Sequence, residues 1–262
     1  MPLRRILNNF STHSNGKERQ RELSEFSGDE SFACFVSAAA TFIGAITYYG
    51  SLIRTAALGA VLSLRYFLCL LPLICAALLL PFLLYLSSHE VQEDHAYVVL
   101  FLLALALWLE GATIIAALMG ISLQDDAIER NNPAAVVALY GAMLGITCVY
   151  AGANVGEGAT IWMTFGPAAL GAITWSAAWM LLELLGAFSD SVAIDRNVNS
   201  ALRLAFFLIV SGILLGWALA GNYESSQQTV DDLIHRGWPI IPLAVGTAAV
   251  QRYSSRRKQM PR

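Results

Sequence analysis

Charge is what this sequence lacks. Only 13% of its 262 residues are Asp, Glu, Lys or Arg, where soluble domains carry roughly 25%. Set against a hydrophobic content of 56% and a mean hydropathy of +0.58, that leaves too little polar surface to dissolve a globule. The signatures of soluble enzymology are missing too: no phosphate-binding GxxxxGK[ST] loop, no GxGxxG, no HExxH and no GxSxG. No catalytic, cofactor-binding or metal-ligating residue is therefore assigned, and a non-enzymatic protein is expected. Cysteine is sparse. Cys34, Cys69, Cys75 and Cys148 show no CxxC or other ligand spacing and read as small packing residues. The first thirty residues lack an apolar stretch and a small-residue cleavage site, so a polar, disordered tail is expected there rather than a signal peptide.

Apolar runs fill the gap. Stretches at 66–87, 97–121, 133–153, 160–188 and 204–221 reach or approach the ~18 residues that suggest a membrane span. A sixth, 237–252, is shorter. The expected fold is all-α: a polytopic transmembrane helical bundle of about six spans. Residues 31–53 carry no charge after Glu30 but are rich in Ala, Ser, Thr and Gly, and could cross or lie at the interface. The basic residues favour the interface. With six spans and a cytoplasmic N-terminus, only Arg236 of the sixteen Lys and Arg faces outward, as the positive-inside rule requires. A seventh span would export Arg4, Arg5, Lys17, Arg19 and Arg21. The domain reading is a tail over 1–30, an N-terminal arm over 31–95, a duplicated bundle over 96–252 and a basic tail over 253–262. Both termini are expected in the cytoplasm.

One polar pattern occurs twice. AIERNNPAA at 127 recurs as AIDRNVNSA at 193, each time before a glycine-bearing span that leads to AGAN or AGN and then an outer loop. Each unit has two crossings, so the copies are parallel repeats. The register of Ile128, Asn131, Asn132, Ala134, Ala135, Gly141 and Gly145 resembles the signature of the domain of unknown function 350 family, small bacterial inner-membrane proteins, over about residues 97–222 or to 252. The second motif departs from it, with Arg196-Asn197-Val198-Asn199-Ser200 replacing asparagine followed by alanines. The resemblance implies four helices in two pairs, an inner-membrane address, and a structural or envelope-stress-associated role.

Two readings of the polar turns stand open. In one, Asn132 caps the helix that Pro133 begins, Asp126 and Glu129 favour its positive end, and Arg130 meets lipid phosphate. In the other, Arg130, Asn131, Arg196 and Asn197 converge on a shared polar vestibule. Glu110 lies near the middle of its span, where a charge costs roughly 2.5–3.5 kcal/mol on insertion scales. Either it is protonated and bonded to a neighbouring helix, for instance through Tyr140 or Thr147, or it is a proton or cation site in a channel or transporter. Glu183 sits nearer the interface, within reach of Arg196 or Arg203. Gly141-x-x-x-Gly145 and Gly212-x-x-x-Gly216 would let helices approach closely within the bundle. The loop HEVQEDH reads as a solvated acidic turn. Expected associates are the lipid bilayer, a second copy of the chain, and a cytoplasmic or membrane protein reached through the tails. Nucleic acid is not among them.

Overall fold

The computed structural model describes residues 28–56, 62–156, 161–221 and 226–259. Residues 1–27 of the expected first tail, 260–262 of the expected second tail, the connection 57–61 and the loop centres at 157–160 and 222–225 lie outside the described residues, while 253–259 continue the last helix. No strand occurs among the described residues. The chain forms α1 (Gly28–Ala56), α2 (Leu62–Tyr85), a short α3 (His89–Glu93), α4 (His95–Leu118), α5 (Pro133–Ala153), α6 (Trp162–Gly186), α7 (Val198–Leu219), α8 (Ser226–Gly237) and α9 (Ile240–Gln259). A π-helical turn precedes α5 at Leu123–Glu129, and another precedes α7 at Asp190–Ile194. In an apolar surround every backbone donor must bond within its own segment, which is why long apolar runs become helices. Pro72 and Pro81 in α2, and Pro167 in α6, are carried inside such runs.

α5 is the axis. It is enclosed by α2, α4, α6 and α7, and 78% of its most apolar stretch is buried in protein, against 11% for α1. Its most extensive pairing is with α7. The two helices run parallel, Gly141 facing Ala205, Gly145 facing Leu208 and Gly212, and Gly152 facing Gly216. At each of these glycines a Cβ would collide with backbone atoms of the opposite helix. Glycine is thus a condition of this contact, and close backbone approach supplies the attraction that lipid does not.

Both ends of the bundle are polar. The knot end carries the two π-turns, which share their local geometry. Asn132 and Asn197 are N-caps in extended conformation, their side chains accepting from the amides of Ala134 and Asn199. The residue before each cap is left-handed, Asn131 at φ 47° and Arg196 at φ 52°. This corrects the sequence register by one residue, since the repeated letters align Asn131, not Asn132, with Asn197. The opposite, loop end carries α3 and the segment after α5. There Tyr97 donates to Glu30 (2.8 Å) and Trp162 donates to Asp29 (3.1 Å).

Among the described residues seven helices are long and apolar enough to cross a membrane, where about six were expected. The additional one is α1, over the segment expected at the interface. It lies along α4 and parallel to it: Glu30 meets Tyr97, Thr41 donates to the Leu103 carbonyl (3.0 Å) and Gly44 seats against Glu110. A helix that follows its neighbour from the loop end toward the knot end packs as a member of the bundle. Farther along, Tyr48 and Tyr49 donate to the carbonyls of Leu68 and Cys69, tying α1 to α2. At the C-terminal end, α8 occupies much of the expected outer loop, and α9 returns to the knot end, where Gln251 donates to Ser200 (2.9 Å) and Ser191 (3.2 Å).

Candidate intramembrane carboxylate site

Between α1, α2, α4 and α5 lies a cavity of about 460 Å³. Its wall is mostly apolar, including Pro72, Leu109 and Met143, with the rings of Tyr48 and Tyr49 on one side. Glu110 of α4 reaches into it. The Glu110 Oε1 is covered yet has no hydrogen-bond partner, the only carboxylate oxygen among the described residues in that condition. It rests on the backbone of α1 at Gly44, where a Cβ would collide with the carboxyl group. Gly44 is therefore a seat for the carboxylate, made by the absence of a side chain.

The hydroxyls around the site have their protons committed. Thr41 donates to Ser37 and Leu103 carbonyls (2.7 and 3.0 Å), Thr47 to Gly44 (3.1 Å) and Thr113 to the Glu110 carbonyl (2.8 Å). Tyr48 donates to Leu68 (2.7 Å) and Tyr49 to Cys69 (3.3 Å). What these groups still offer is oxygen lone pairs. The partners expected for Glu110 are engaged elsewhere: Tyr140 donates to the Phe67 carbonyl and Thr147 to Met143 within α5 (2.6 Å). The cavity continues toward the knot end past Ser122, Leu123 and Gln124.

The polar turns are organised differently. Asp126 is buried, accepts from the Ser122 amide (2.8 Å) and pairs with Arg130 (3.1 Å), so Arg130 is held within its own turn. Asn132 is fully buried and donates to the Val192 carbonyl of the second turn (2.7 Å). That bond crosses between the motifs. Among the described residues no hydrogen bond or ion pair joins Arg130 or Asn131 to Arg196 or Asn197. Glu183 meets neither Arg196 nor Arg203. It accepts from the amide (3.0 Å) and hydroxyl (2.5 Å) of Ser189, whereas Arg203 donates to Gln251 and Ser254. Gly141, Gly145, Gly212 and Gly216 all lie in the α5–α7 contact. In the acidic loop, His89 and Glu93 approach to 3.3 Å on the exposed face of α3. No cluster of three or more His, Cys, Asp or Glu among the described residues could hold a metal ion.

Gly44 and the two tyrosines were missed in the sequence because nothing in α1 points to Glu110 across 66 residues of chain. The one available signal was the uncharged small-residue run itself, which permits close approach to a neighbouring helix.

The family described as Domain of Unknown Function (DUF350) matches residues 84–219, just over half of the chain. The protein is a member of the DUF350 family. No curated protein and no solved structure matches it. The DUF350 portion starts and stops somewhat earlier than the signature letters suggest, and takes in α4 through α7, both polar turns and Glu110. α1, nearly all of α2, and α8 and α9 lie outside it. The cavity is thus composite: its carboxylate belongs to the DUF350 portion, and its cover, with Gly44, Tyr48 and Tyr49, does not.

Proposed function

We propose that this DUF350 protein is a non-enzymatic, multi-pass protein of the bacterial inner membrane that carries a cation past Glu110. The observation that supports the reading is the covered, unpartnered Glu110 oxygen inside a cavity far larger than a packing defect. An ionisable group at membrane depth is costly and is retained where it serves an ion or substrate path. We further propose an internal duplication, on the shared geometry of the two π-turns and caps.

The knot end is taken to be cytoplasmic, since Arg130, Arg196, Arg203 and Arg252 gather there, while Arg236 lies toward the loop end over Trp217. On this orientation the described chain begins outside at Gly28 and ends inside at Gln259, which replaces the expectation of two cytoplasmic termini. In proteoliposomes the full chain should dissipate an imposed gradient of protons, potassium or an alkylammonium ion, and Glu110→Gln should abolish that flux while the variant still elutes as a folded species. Wild type without flux for any of the three would remove the carrier reading.

A scaffold role in envelope maintenance is the second reading, supported by the exposed Asp195 and Arg196 at the knot end. It requires a protein partner, and crosslinking from position 196 that captures only lipid would eliminate it.

A further inference from the structure

We propose that the Glu110 cavity binds an amphipathic organic monocation, a protonated amine with an apolar body, rather than a bare metal ion. The proposal rests on the carrier reading and names its substrate class. Size is the first argument. The cavity holds about 460 Å³, within the range of small-molecule sites at roughly 300–1,000 Å³, whereas one water needs only about 30 Å³. A proton relay or a dehydrated potassium ion leaves most of that volume unused.

Polarity is the second. The hydroxyl protons of Thr41, Thr47, Thr113, Tyr48 and Tyr49 are all bound to backbone carbonyls, so the wall presents acceptor lone pairs and one carboxyl group. Such a lining, with the Gln124 amide as its one side-chain N–H donor, matches a donor-bearing cation better than an anion. It is also a poor metal site: hard cations require several converging oxygens at short range, and one carboxylate among scattered hydroxyls does not supply them.

The walls are the third argument. Leu109, Met143 and Pro72 offer apolar contact, and Tyr48 and Tyr49, packed edge-to-face at 5.3 Å, line the same cavity and bring aromatic rings to an ammonium group. Access follows from exposure. Ala45 and Thr47 on α1, and Ile114 and Ala117 on α4, are exposed along the rim. An amine dissolved in the apolar phase therefore enters sideways between α1 and α4, apolar body and ammonium together. Gly44 fixes the carboxyl group on the α1 side of this entrance.

The test uses the wild-type full chain in liposomes, treated with dicyclohexylcarbodiimide. This reagent adds a buried carboxyl group across one C=N bond and rearranges to a stable N-acylurea. Mass spectrometry should locate the adduct at Glu110. N,N-dimethyloctylamine, protonated at neutral pH, should protect saturably by roughly tenfold in labelling rate, and octanol at the same membrane concentration should not. Gly44→Val, which evicts the carboxyl group from its seat without altering any titratable group, should lose that protection. Equal protection by octanol and the amine, or none by either, overturns the proposal, as does labelling that ignores the Gly44 change. Proton or potassium flux lost in Glu110→Gln without amine protection would sink the organic-cation assignment and keep the carrier reading. Amine protection without flux of any cation would do the reverse.

Discussion

A carboxyl oxygen that is covered and unbonded is unfavourable where it stands, because a buried acceptor without a partner loses hydration and gains nothing. Glu110→Leu should therefore leave the protein as stable as wild type or raise its stability by about 1–3 kcal/mol, read from the unfolding midpoint in detergent, while eliminating flux. A drop in stability would mean that the carboxyl group holds the helices together. The two caps separate in the other direction. Asn132 bonds both its own helix and the Val192 carbonyl, so Asn132→Ala should cost about 1–3 kcal/mol. Asn197, half-buried, with a side chain that accepts from the Asn199 amide, should cost about 0.5–1 kcal/mol on the same change. Equal losses would show that the cross-motif bond contributes nothing. The identity of Asn132 as a cap was legible in the letters, because a cap followed by proline is a local signal. Its second bond was not, since Val192 contributes through a carbonyl, which every residue possesses.

Helices were legible wherever composition alone decides them. The run at 133–153 coincides with α5, bounded by Asn132 and Pro133 at one end and Asn154 at the other. α1 is where two principles conflict. Its uncharged length argues for a crossing, and the basic residues before it argue against exporting them. Packing along α4 and the hydroxyl bonds at Thr41, Tyr48 and Tyr49 tie it to its neighbours. The corresponding measurement is sidedness. With the native cysteines replaced, a cysteine at Ser31 and one at Ser255 should react with an impermeant maleimide from opposite faces of the membrane. Reaction of both from the same face would restore the interfacial arrangement. The α5–α7 pair makes a further prediction at this scale. Gly145→Leu should destabilise by about 1–3 kcal/mol or more, as for overpacked cores, because the Leu208 backbone cannot yield. Gly44→Ala should cost little, because the group it meets is the movable end of a side chain.

Across the whole molecule, the parallel α5–α7 pair occupies the position where a twofold pathway would run. Backbones meet there at Gly141, Gly145, Gly152, Gly212 and Gly216, and Trp175 closes the same region by donating to the Leu208 carbonyl (3.0 Å). Bilateral patterning in the letters suggested a passage between the halves, but small residues bring helices together and leave no lumen. The Glu110 cavity lies to one side, at α4; the pocket of about 540 Å³ between α7 and α9 in the second half is lined by Arg203 among mostly apolar residues and holds no carboxylate. On the carrier reading the path is eccentric, and each chain carries a complete site. Function would then be counted per chain rather than per assembly: mixing wild type with Glu110→Gln in the same vesicles should reduce flux in direct proportion to the inactive fraction. A steeper fall would reveal cooperating subunits. A helix pair that seals the centre of a bundle leaves its flanks free to differ, and here the cover over Glu110 comes from α1, outside the residues that the family pattern matches.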